Sequence, residues 1–407
     1  MFAPILSARS MLLAIFMLMA GGGFVSTLVS LRLENAGSRA STIGLIATAY
    51  FAGLTIGSLR VTPIIQRVGH IRTFAAAVSL LSASTLTYAL HQNAALWAVL
   101  RLIDGLCVAS VFVCLESWLN ARAEARSRGT ILAAYMIALY AGQAAGQFLL
   151  NLDAYPSLPF IASSLLISLS VLPIALTRLE GPPLSEQAPL SARDLYAASP
   201  LGIAGVGITG LMLGAFYALG AVYARRLGVP LAATALFMSV VIAGGVALQW
   251  PIGWLSDRID RRRVIVGTLA GAAAICAGLA LIDSGGPLLM LLGAVFGGFA
   301  FALYPLCVAH TNDHLSAEQR VGASGGLVLV YSVGAAIGPM AGAGAMMVAG
   351  PGGLFVYIGV CAVAALGFAL WRQIQRKPVP EELQQPYQLM PRTTPMVAAL
   401  DPLTPED

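Results

Sequence analysis

Charged side chains are scarce in this chain of 407 residues, because Asp, Glu, Lys and Arg together make up only 10% of it. A typical soluble domain carries roughly 25%. A water-soluble protein of this length needs more charge to cover its surface, which excludes a soluble enzyme. Hydrophobic residues make up 58% of the chain. Much of the molecular surface is therefore expected to face lipid.

Lysine is nearly absent: the one lysine, Lys377, is followed by Pro378. A P-loop needs Gly-Lys-Ser/Thr, so any solute transport must use a gradient or a separate ATPase subunit. The five cysteines form no C-x-x-C pair and lie in apolar runs, which favours small core residues over disulfides or metal ligands. The net charge of +5 is spread over short loops, so no nucleic-acid partner is predicted.

Apolar segments recur at regular intervals, each near the ~20 residues that a spanning helix needs. They predict an all-α membrane protein of twelve transmembrane helices in two six-helix bundles. The predicted parts are an N-terminal bundle over 1–177, a cytoplasmic linker over 178–200, a C-terminal bundle over 201–372 and a disordered tail over 373–407. Residues 11–20 resemble a signal peptide, but an uncleaved first span is favoured because its removal would leave an odd number of helices. The segments lie near 10–33, 42–62, 73–91, 95–119, 129–151, 157–177, 200–223, 232–255, 264–283, 287–309, 321–348 and 353–372.

The distribution of lysine and arginine predicts the orientation in the membrane. With a cytoplasmic N-terminus, 17 of the 23 basic residues fall in inside segments. Of the remainder, four fall outside and two lie within spans: Arg32, Arg39, Arg225, Arg226, and then Arg60 and Arg101. Both termini are therefore predicted to be cytoplasmic.

The two halves of the chain repeat one another. Gly142-x-x-x-Gly146 in the fifth span matches Gly334-x-x-x-Gly338 in the eleventh, 192 residues later. A basic loop follows the second span and again the eighth, 191 residues later. Since both copies have the same predicted orientation, we expect a parallel repeat about an axis along the membrane normal.

The loop after the eighth span resembles the signature loop of the major facilitator superfamily, G-x-L-x-D-R-x-G-R-R. Gly253 to Arg262 reads G-W-L-S-D-R-I-D-R-R, with Asp260 in place of the second glycine. The copy after the second span is degraded, with Thr62 and Gln66 at the positions of Gly and Asp. The sequences Glu116-Ser117-Trp118 and Gln249-Trp250-Pro251-Ile252-Gly253 resemble the YcaD-like subgroup. The resemblance covers about residues 8–372 and implies a secondary transporter.

The basic loops are candidates for a cytoplasmic gate. A turn rich in arginine beside a carboxylate can lock two helices together. Arginines alone are also explained by membrane topology, whereas topology gives no reason for a carboxylate at position 257. The predicted gating residues are Asp257, Arg258, Arg262, Arg67 and Arg72.

Three charged residues lie within the fourth span: Arg101, Asp104 and Glu116. Burying a charge at the bilayer centre costs ~3 kcal/mol or more, so such residues face a cavity or a partner. At 100° per residue all three fit one 120° face. Asp104 either forms an internal salt bridge with Arg101 or binds a coupling proton. Glu116 either pairs with Arg67, Arg72 or Arg122 as a gate lock, or is the second candidate for proton coupling.

Polar and aromatic residues at cavity depth are the candidates for substrate binding. The glutamines of the fifth span either bond across helices or contact substrate. Two histidines four residues apart, His310 and His314, have no evident third ligand, so no metal is predicted. The candidate substrate-binding residues are Arg101, Gln143, Gln147, Tyr217, Tyr304, Tyr331, Phe24 and Trp250.

These observations predict a secondary transporter rather than an enzyme, with no cofactor and with a small molecule and protons as its ligands. We expect a monomer in the bacterial inner membrane. A cavity with one net carboxylate favours efflux of a lipophilic or cationic compound, whereas an unpaired Arg101 favours uptake of an anionic metabolite. The proline of G-x-x-x-G-P-x-x-G, typical of the fifth span of exporters, is replaced by Gln147, which weakens an antiport assignment. A non-transporting sensor on the same scaffold is a further alternative.

Overall fold

The computed structural model describes residues 3–123, 127–177, 181–182, 190–375, 384–388, 390 and 392–394, and all regular structure in these ranges is helical. Twelve helical spans are long and apolar enough to cross a membrane. This number confirms the predicted fold class. In chain order, spans 1 to 12 are Ala8–Asn35, Ala40–Val68, His70–Leu90, Ala94–Ala121, Arg128–Asn151, Leu158–Ala175, Pro200–Arg226, Leu231–Ser256, Arg261–Leu281, Pro287–Asn312, Gly322–Ala349 and Gly353–Gln375.

Three spans of the first half are built from two helical pieces. Span 1 consists of the helices Ala3–Gly22 and Val25–Asn35, span 5 of Arg128–Gln147 and the 3-10 turn Phe148–Asn151, and span 6 of Leu158–Leu169 and Leu172–Ala175. The helices of spans 4 and 11 extend beyond the apolar stretch, to Ala94–Arg122 and Ala317–Ala349. A short helix, Ala192–Ala198, precedes span 7 and begins where the Ser191 hydroxyl accepts a hydrogen bond from the Asp194 amide.

The two halves of the molecule repeat the same helix packing. Span 1 packs against span 5 and span 2 against span 4, as span 7 packs against span 11 and span 8 against span 10. Gly146 and Gly338 are placed alike in this repeat. A Cβ atom at Gly146 would overlap the carbonyl oxygen of Ala20, and one at Gly338 would overlap that of Leu211. Glycine at both positions therefore lets two helix backbones approach closely.

The halves contact each other mainly toward one end of the molecule. We call this the far end, where spans 1 and 7 end, and we call the end where span 12 ends the tail end. Near the far end, Glu34 accepts two hydrogen bonds from Arg226, at 2.7 and 2.9 Å. The Thr48 hydroxyl donates to the Ala336 carbonyl at 2.7 Å, and the Ser239 hydroxyl donates to the Ala144 carbonyl at 2.8 Å. These bonds join the two halves on the far-end side of the centre of the molecule.

The tail segment, by which we mean residues 384–388, 390 and 392–394, lies between the two halves at the tail end. It contacts span 4 at Glu116 and span 5 at Tyr140 in the first half, and the loops and spans of the second half at Asp257 and Phe301. The rest of the predicted tail beyond Gln375, residues 376–383, 389, 391 and 395–407, lies outside the described residues. Of the predicted linker, residues 178–180 and 183–189 lie outside the described residues.

Candidate functional site

A cavity of about 150 Å³ lies between the two halves. Spans 1, 2, 4 and 5 form most of its wall, and spans 7 and 11 supply the facing side. Most of the wall is apolar, with side chains such as Leu54 and Phe112. The charged groups of the lining are few and lie in two places: Arg101 and Asp104 on span 4, and Arg392 of the tail segment. A mostly apolar cavity with a few convergent polar groups is typical of a small-molecule site.

Arg101 and Asp104 both line this cavity and are 3% and 2% exposed. One carboxylate oxygen of Asp104 lies 3.7 Å from a guanidinium nitrogen of Arg101. The carboxylate also accepts hydrogen bonds from the Ser84 hydroxyl at 2.6 Å and from the Tyr88 hydroxyl at 2.8 Å. Asp104 is thus held by span 3 more firmly than by its neighbour on span 4.

The guanidinium group of Arg101 is only partly satisfied. Its Nε and one Nη have no hydrogen-bond partner among the described residues. The group lies over the rings of Tyr50 and Tyr88, 5.4 and 5.7 Å from their centroids. Cation–π contacts of this kind stabilise a desolvated cation but leave its donors open. Arg101 therefore presents unused donors in the wall of the cavity.

Glu116 is fully buried, two turns from the tail end of span 4. Its carboxylate accepts hydrogen bonds from the Tyr135 hydroxyl at 2.8 Å and from the hydroxyls of Thr393 and Thr394. The predicted pairing with arginine is not formed by Arg67 or Arg72, which are both exposed. The side chain of the third candidate, Arg122, lies outside the described residues. Span 5 supplies one of the hydroxyl partners, and the tail segment supplies the other two.

The candidate substrate-binding residues divide into three groups. Gln143, Tyr217 and Tyr331 line the cavity together with Arg101. Three others are buried but are not among the described lining residues: Phe24, Gln147 and Tyr304, the last packed edge-on against Tyr331 with ring centroids 5.4 Å apart.

Trp250 is not among the described lining residues of the central cavity. Its side chain is 71% exposed and lines a second cavity instead, together with Leu132 of span 5 and Tyr387 of the tail segment.

A network of ionic bonds closes the tail end of the second half around Arg261. Its guanidinium group is 1% exposed and donates to both carboxylate oxygens of Asp313, at 2.7 and 2.6 Å. It also donates to the Ser256 hydroxyl at 2.9 Å and to the Gln385 carbonyl at 2.5 Å. Sequence reasoning missed this pair, because Arg261 was explained by topology and Asp313 lies 52 residues away. The signal available was the extra carboxylate at position 313.

Of the predicted gating residues, Asp257 contacts this network, and the other four do not pair with Arg261 in the described part of the chain. Asp257 lies 3.5 Å from Arg261 and accepts a hydrogen bond from the Tyr387 amide at 2.7 Å. Arg258 lies over the Trp254 ring, 3.6 Å from its centroid, and Arg262 pairs with Asp260 at 2.8 Å. Arg67 and Arg72, on the other half, are exposed. The basic loop of the second half is therefore bonded into its bundle more extensively than that of the first.

Two carboxyl groups of these loops have altered pKa values. Burial alone raises the pKa of Asp260, but its hydrogen bonds to Arg262 outweigh this and lower it below the ordinary range. Burial raises the pKa of Asp313, and the Arg261 guanidinium opposes that shift. The lowered pKa of Asp260 adds stability that is present above its ordinary pKa and is lost as the pH falls through the folded-state value.

Two six-helix halves that enclose a central cavity are the architecture of a secondary transporter. The family profile described as Major Facilitator Superfamily matches residues 11–289 and 203–400. An Escherichia coli O139:H28 (strain E24377A / ETEC) protein, described as uncharacterized MFS-type transporter YcaD, is 30% identical over 328 residues, 77% of this chain and 82% of that one. The Escherichia fergusonii protein of the same description is 29% identical over 324 residues. The chain therefore belongs to the Major Facilitator Superfamily and is a YcaD-like, multi-pass bacterial membrane transporter, not an enzyme.

Solved structures of transporters share the fold. The nucleoside transporter NupG (D323A mutant) aligns with a TM-score of 0.74 at 14% identity, over 90% of this chain and 99% of its own. A bacterial homolog to human lysosomal transporter Spinster, in an inward-facing and occupied conformation, aligns with a TM-score of 0.75 at 14% identity, over 95% of this chain and 99% of its own. At this identity the likeness concerns the fold alone.

Proposed function

We propose that this protein is a secondary active transporter that exports a small molecule by alternating access, coupled to protons. The observation that carries the proposal is the cavity of about 150 Å³ between the two halves, with the buried side chains of Arg101 and Asp104 in its wall. The halves are joined at the far end by Glu34 and Arg226, while the tail segment lies between them at the other end. Rocking of one half against the other would move the opening from end to end.

The charges of span 4 support export of a cationic or lipophilic compound. Its two buried carboxylates, Asp104 and Glu116, outnumber its one buried guanidinium, Arg101. With both carboxylates ionised, span 4 carries one net negative charge, which favours a cation.

Uptake of an anionic metabolite is the second candidate, and one observation favours it. Two guanidinium nitrogens of Arg101 have no partner among the described residues. A carboxylate or phosphate of a substrate would satisfy them through a bidentate contact.

Proton coupling is assigned to Asp104 first and Glu116 second. Asp104 lines the cavity beside Arg101, so a substrate that draws the guanidinium away would leave the carboxylate to bind a proton. Among the described residues, Glu116 is held by hydroxyl groups rather than by a cation, and a protonated carboxyl group can keep such partners. Arg261, Asp313 and Asp257 are assigned to the gate, since they join two loops of the second half to the tail segment.

We propose that the protein lies in a bacterial inner membrane with its tail end facing the cytoplasm. Seventeen of the 23 basic residues belong to segments at that end, which supports it through the positive-inside rule. Reporter fusions to the linker over 178–200 and to the tail should report a cytoplasmic position. A periplasmic reading at either place would contradict the orientation. We also propose that the two bundles comprise residues 1–177 and 201–372 and that the protein is a monomer.

Flux measurements in proteoliposomes test the proposal directly. We expect compounds that raise the unfolding temperature of the purified protein to exchange across the liposome membrane. An imposed pH gradient should then drive their accumulation. Accumulation of an anionic compound inside the liposomes against its own gradient would favour the second candidate. Ligands that stabilise the protein but never cross the membrane would contradict transport.

A further inference from the structure

We propose that Tyr140, Phe301 and Tyr331 form a binding site for an organic cation, and that Arg392 of the tail segment is an internal ligand of this site. The inference rests on the proposed transport function, which it deepens by naming the substrate class. We call these three residues the aromatic cation site.

The aromatic cation site holds the Arg392 guanidinium on two ring faces. The central carbon of the group lies 4.7 Å from the Phe301 centroid and 5.7 Å from the Tyr331 centroid, within the range of cation–π attraction. One nitrogen donates to the Tyr140 hydroxyl at 3.0 Å. The three aromatic side chains are at most 5% exposed. Among the described residues, a cation is therefore bound here by buried rings and one oxygen, with no carboxylate paired to it.

The aromatic cation site belongs to the transport cavity and joins the two halves. Tyr140 lies on span 5 of the first half, Phe301 on span 10 and Tyr331 on span 11 of the second. Tyr140 and Tyr331 line the central cavity, as do Arg392 and Thr393. Phe301 lies 11 residues before the end of span 10 at Asn312, which is about 16 Å along the helix. A group bound there touches both halves, as a transported ligand must.

The tail segment is attached at several points on its way to this site. At the mouth of the opening, the Gln385 amide donates to Asp313 at 2.8 Å and the Tyr387 amide to Asp257 at 2.7 Å. Beyond Arg392, the hydroxyls of Thr393 and Thr394 donate to Glu116. Since backbone amides make the outer contacts, the position of Arg392 is set by the path of the chain as well as by its charge.

Charge supports a cation rather than an anion as the transported group. Apart from Arg392, the charged residues on the wall of the cavity and at Glu116 are two carboxylates, Asp104 and Glu116, and one guanidinium, Arg101. The guanidinium of Arg392 brings this balance to zero. If the tail segment leaves, a monovalent organic cation restores the same balance and finds the same rings.

Competition follows from this arrangement. A tethered ligand acts at an effective concentration in the millimolar range, and a ligand that needs an empty site binds more weakly by the fraction of time the site is empty. An external cation should therefore bind poorly to the intact chain and better once Arg392 is neutralised.

The test measures binding of butylguanidinium to the full-length protein in detergent, from the rise in unfolding temperature with ligand concentration. Butylurea is the neutral analogue and hexanoate the anionic one. We expect Arg392→Gln to bind butylguanidinium about tenfold more tightly than the wild type, as for a site that the tail fills about nine-tenths of the time. Arg392→Lys should resemble the wild type. Arg193→Gln, which neutralises an exposed arginine at the same end, should also resemble it.

Further variants keep the test decisive. Adding Tyr140→Phe to Arg392→Gln should weaken butylguanidinium binding again. The double variant Thr393→Ala, Thr394→Ala leaves Arg392 and the rings intact but loosens the tail from Glu116, so it too should bind butylguanidinium more tightly than the wild type. Equal affinity of wild type and Arg392→Gln, a gain for hexanoate instead, or no binding of butylguanidinium to any variant would overturn the aromatic cation site.

Flux separates this inference from the proposed function. If Arg392→Gln binds butylguanidinium more tightly but proteoliposomes exchange neither it nor other stabilising compounds, the aromatic cation site stands and the transport assignment falls. If transport of stabilising compounds is measured while butylguanidinium binding does not depend on Arg392, the aromatic cation site falls alone.

Discussion

Arg261 and Asp313 illustrate how a buried ion pair at the tail end depends on both partners. Both side chains are 1% exposed, and the guanidinium donates to both carboxylate oxygens. Removing one partner of such a pair leaves a desolvated charge, which costs far more than the pair itself contributes. The loops of the second half are therefore sensitive to a single substitution.

We expect Asp313→Asn to destabilise the protein by about 3–5 kcal/mol, because it leaves Arg261 buried without a carboxylate. The measurement is the unfolding temperature in detergent. Asp260→Asn is the matched control, since its partner Arg262 is more exposed and asparagine can still cap the helix; its cost should stay below about 1 kcal/mol. Equal losses in the two variants would contradict a buried ion pair.

Asp104 poses a different question at the same scale, because its carboxylate has hydroxyl partners on span 3 as well as Arg101 nearby. We expect Asp104→Asn to fold, to keep substrate exchange and to lose proton-driven transport, since an amide cannot bind and release the coupling proton. Ser84→Ala is the control: it removes one hydrogen bond but keeps the carboxylate, so proton-driven transport should persist. The coupling assignment is wrong if Asp104→Asn and Glu116→Gln both retain full pH-gradient-driven transport.

Helix pairs are held at short range by glycine in each half. Gly338 lies against the backbone of span 7, where a Cβ atom would overlap the Leu211 carbonyl oxygen. A rigid backbone contact of this kind cannot be relieved by a side-chain rotation. Gly338 is thus one of the glycines that allow the close spacing of spans 7 and 11, together with Gly334 on the same span.

Gly338→Ala should destabilise the protein by about 1–3 kcal/mol, because the two helices must move apart. Gly344→Ala is the matched control on the same span, since a Cβ atom there meets nothing within 4 Å. Alanine favours the helix, so this control should be neutral or slightly stabilising. The measurement is the unfolding temperature of each variant in detergent. Equal changes in the two variants would show that the close contact at Gly338 does not affect stability.

The helices and their repeat were open to prediction because they depend on local composition and a constant offset. Span length follows from apolar runs, and Gly146 and Gly338 share their packing because the chain is duplicated. The charged face of span 4 was predictable for the same reason, since helical geometry alone brings Arg101 and Asp104 together.

Other parts of the site were beyond sequence reasoning. The absolute rotation of a helix decides which cavity a side chain meets, so the sequence could not show that Trp250 lines a second cavity rather than the central one. Arg392 belongs to a proline-rich segment without periodicity, and only the tertiary contacts with Phe301 and Tyr331 reveal its role. A long-range pair such as Arg261 and Asp313 leaves no spacing pattern either.

At the scale of the whole molecule, the halves are joined near the far end and separated by the tail segment near the other. The far-end contacts include one ionic bond, between Glu34 and Arg226, and several helix contacts such as that of Thr48 with Ala336. In alternating access these contacts must break when the far end opens. Their strength therefore sets the balance between the two conformations.

The ion pair of Glu34 and Arg226 gives the sharpest test of this balance. Its side chains are 20% and 27% exposed and form two parallel hydrogen bonds, so solvent screening limits its contribution to about 1 kcal/mol. If the bond exists only in the conformation closed at the far end, Glu34→Gln should raise the population open there about fivefold.

A cysteine introduced at Ser26, which lines the cavity on span 1, reports this change as faster labelling by a membrane-impermeant maleimide added to intact cells. The reversed pair, Glu34→Arg with Arg226→Glu, should restore the slow rate, while the chain without Ser26→Cys gives the background of the five buried native cysteines. Labelling that is unchanged in Glu34→Gln would mean that the ion pair persists in both conformations or in neither, and the far end would then be held closed by helix packing alone.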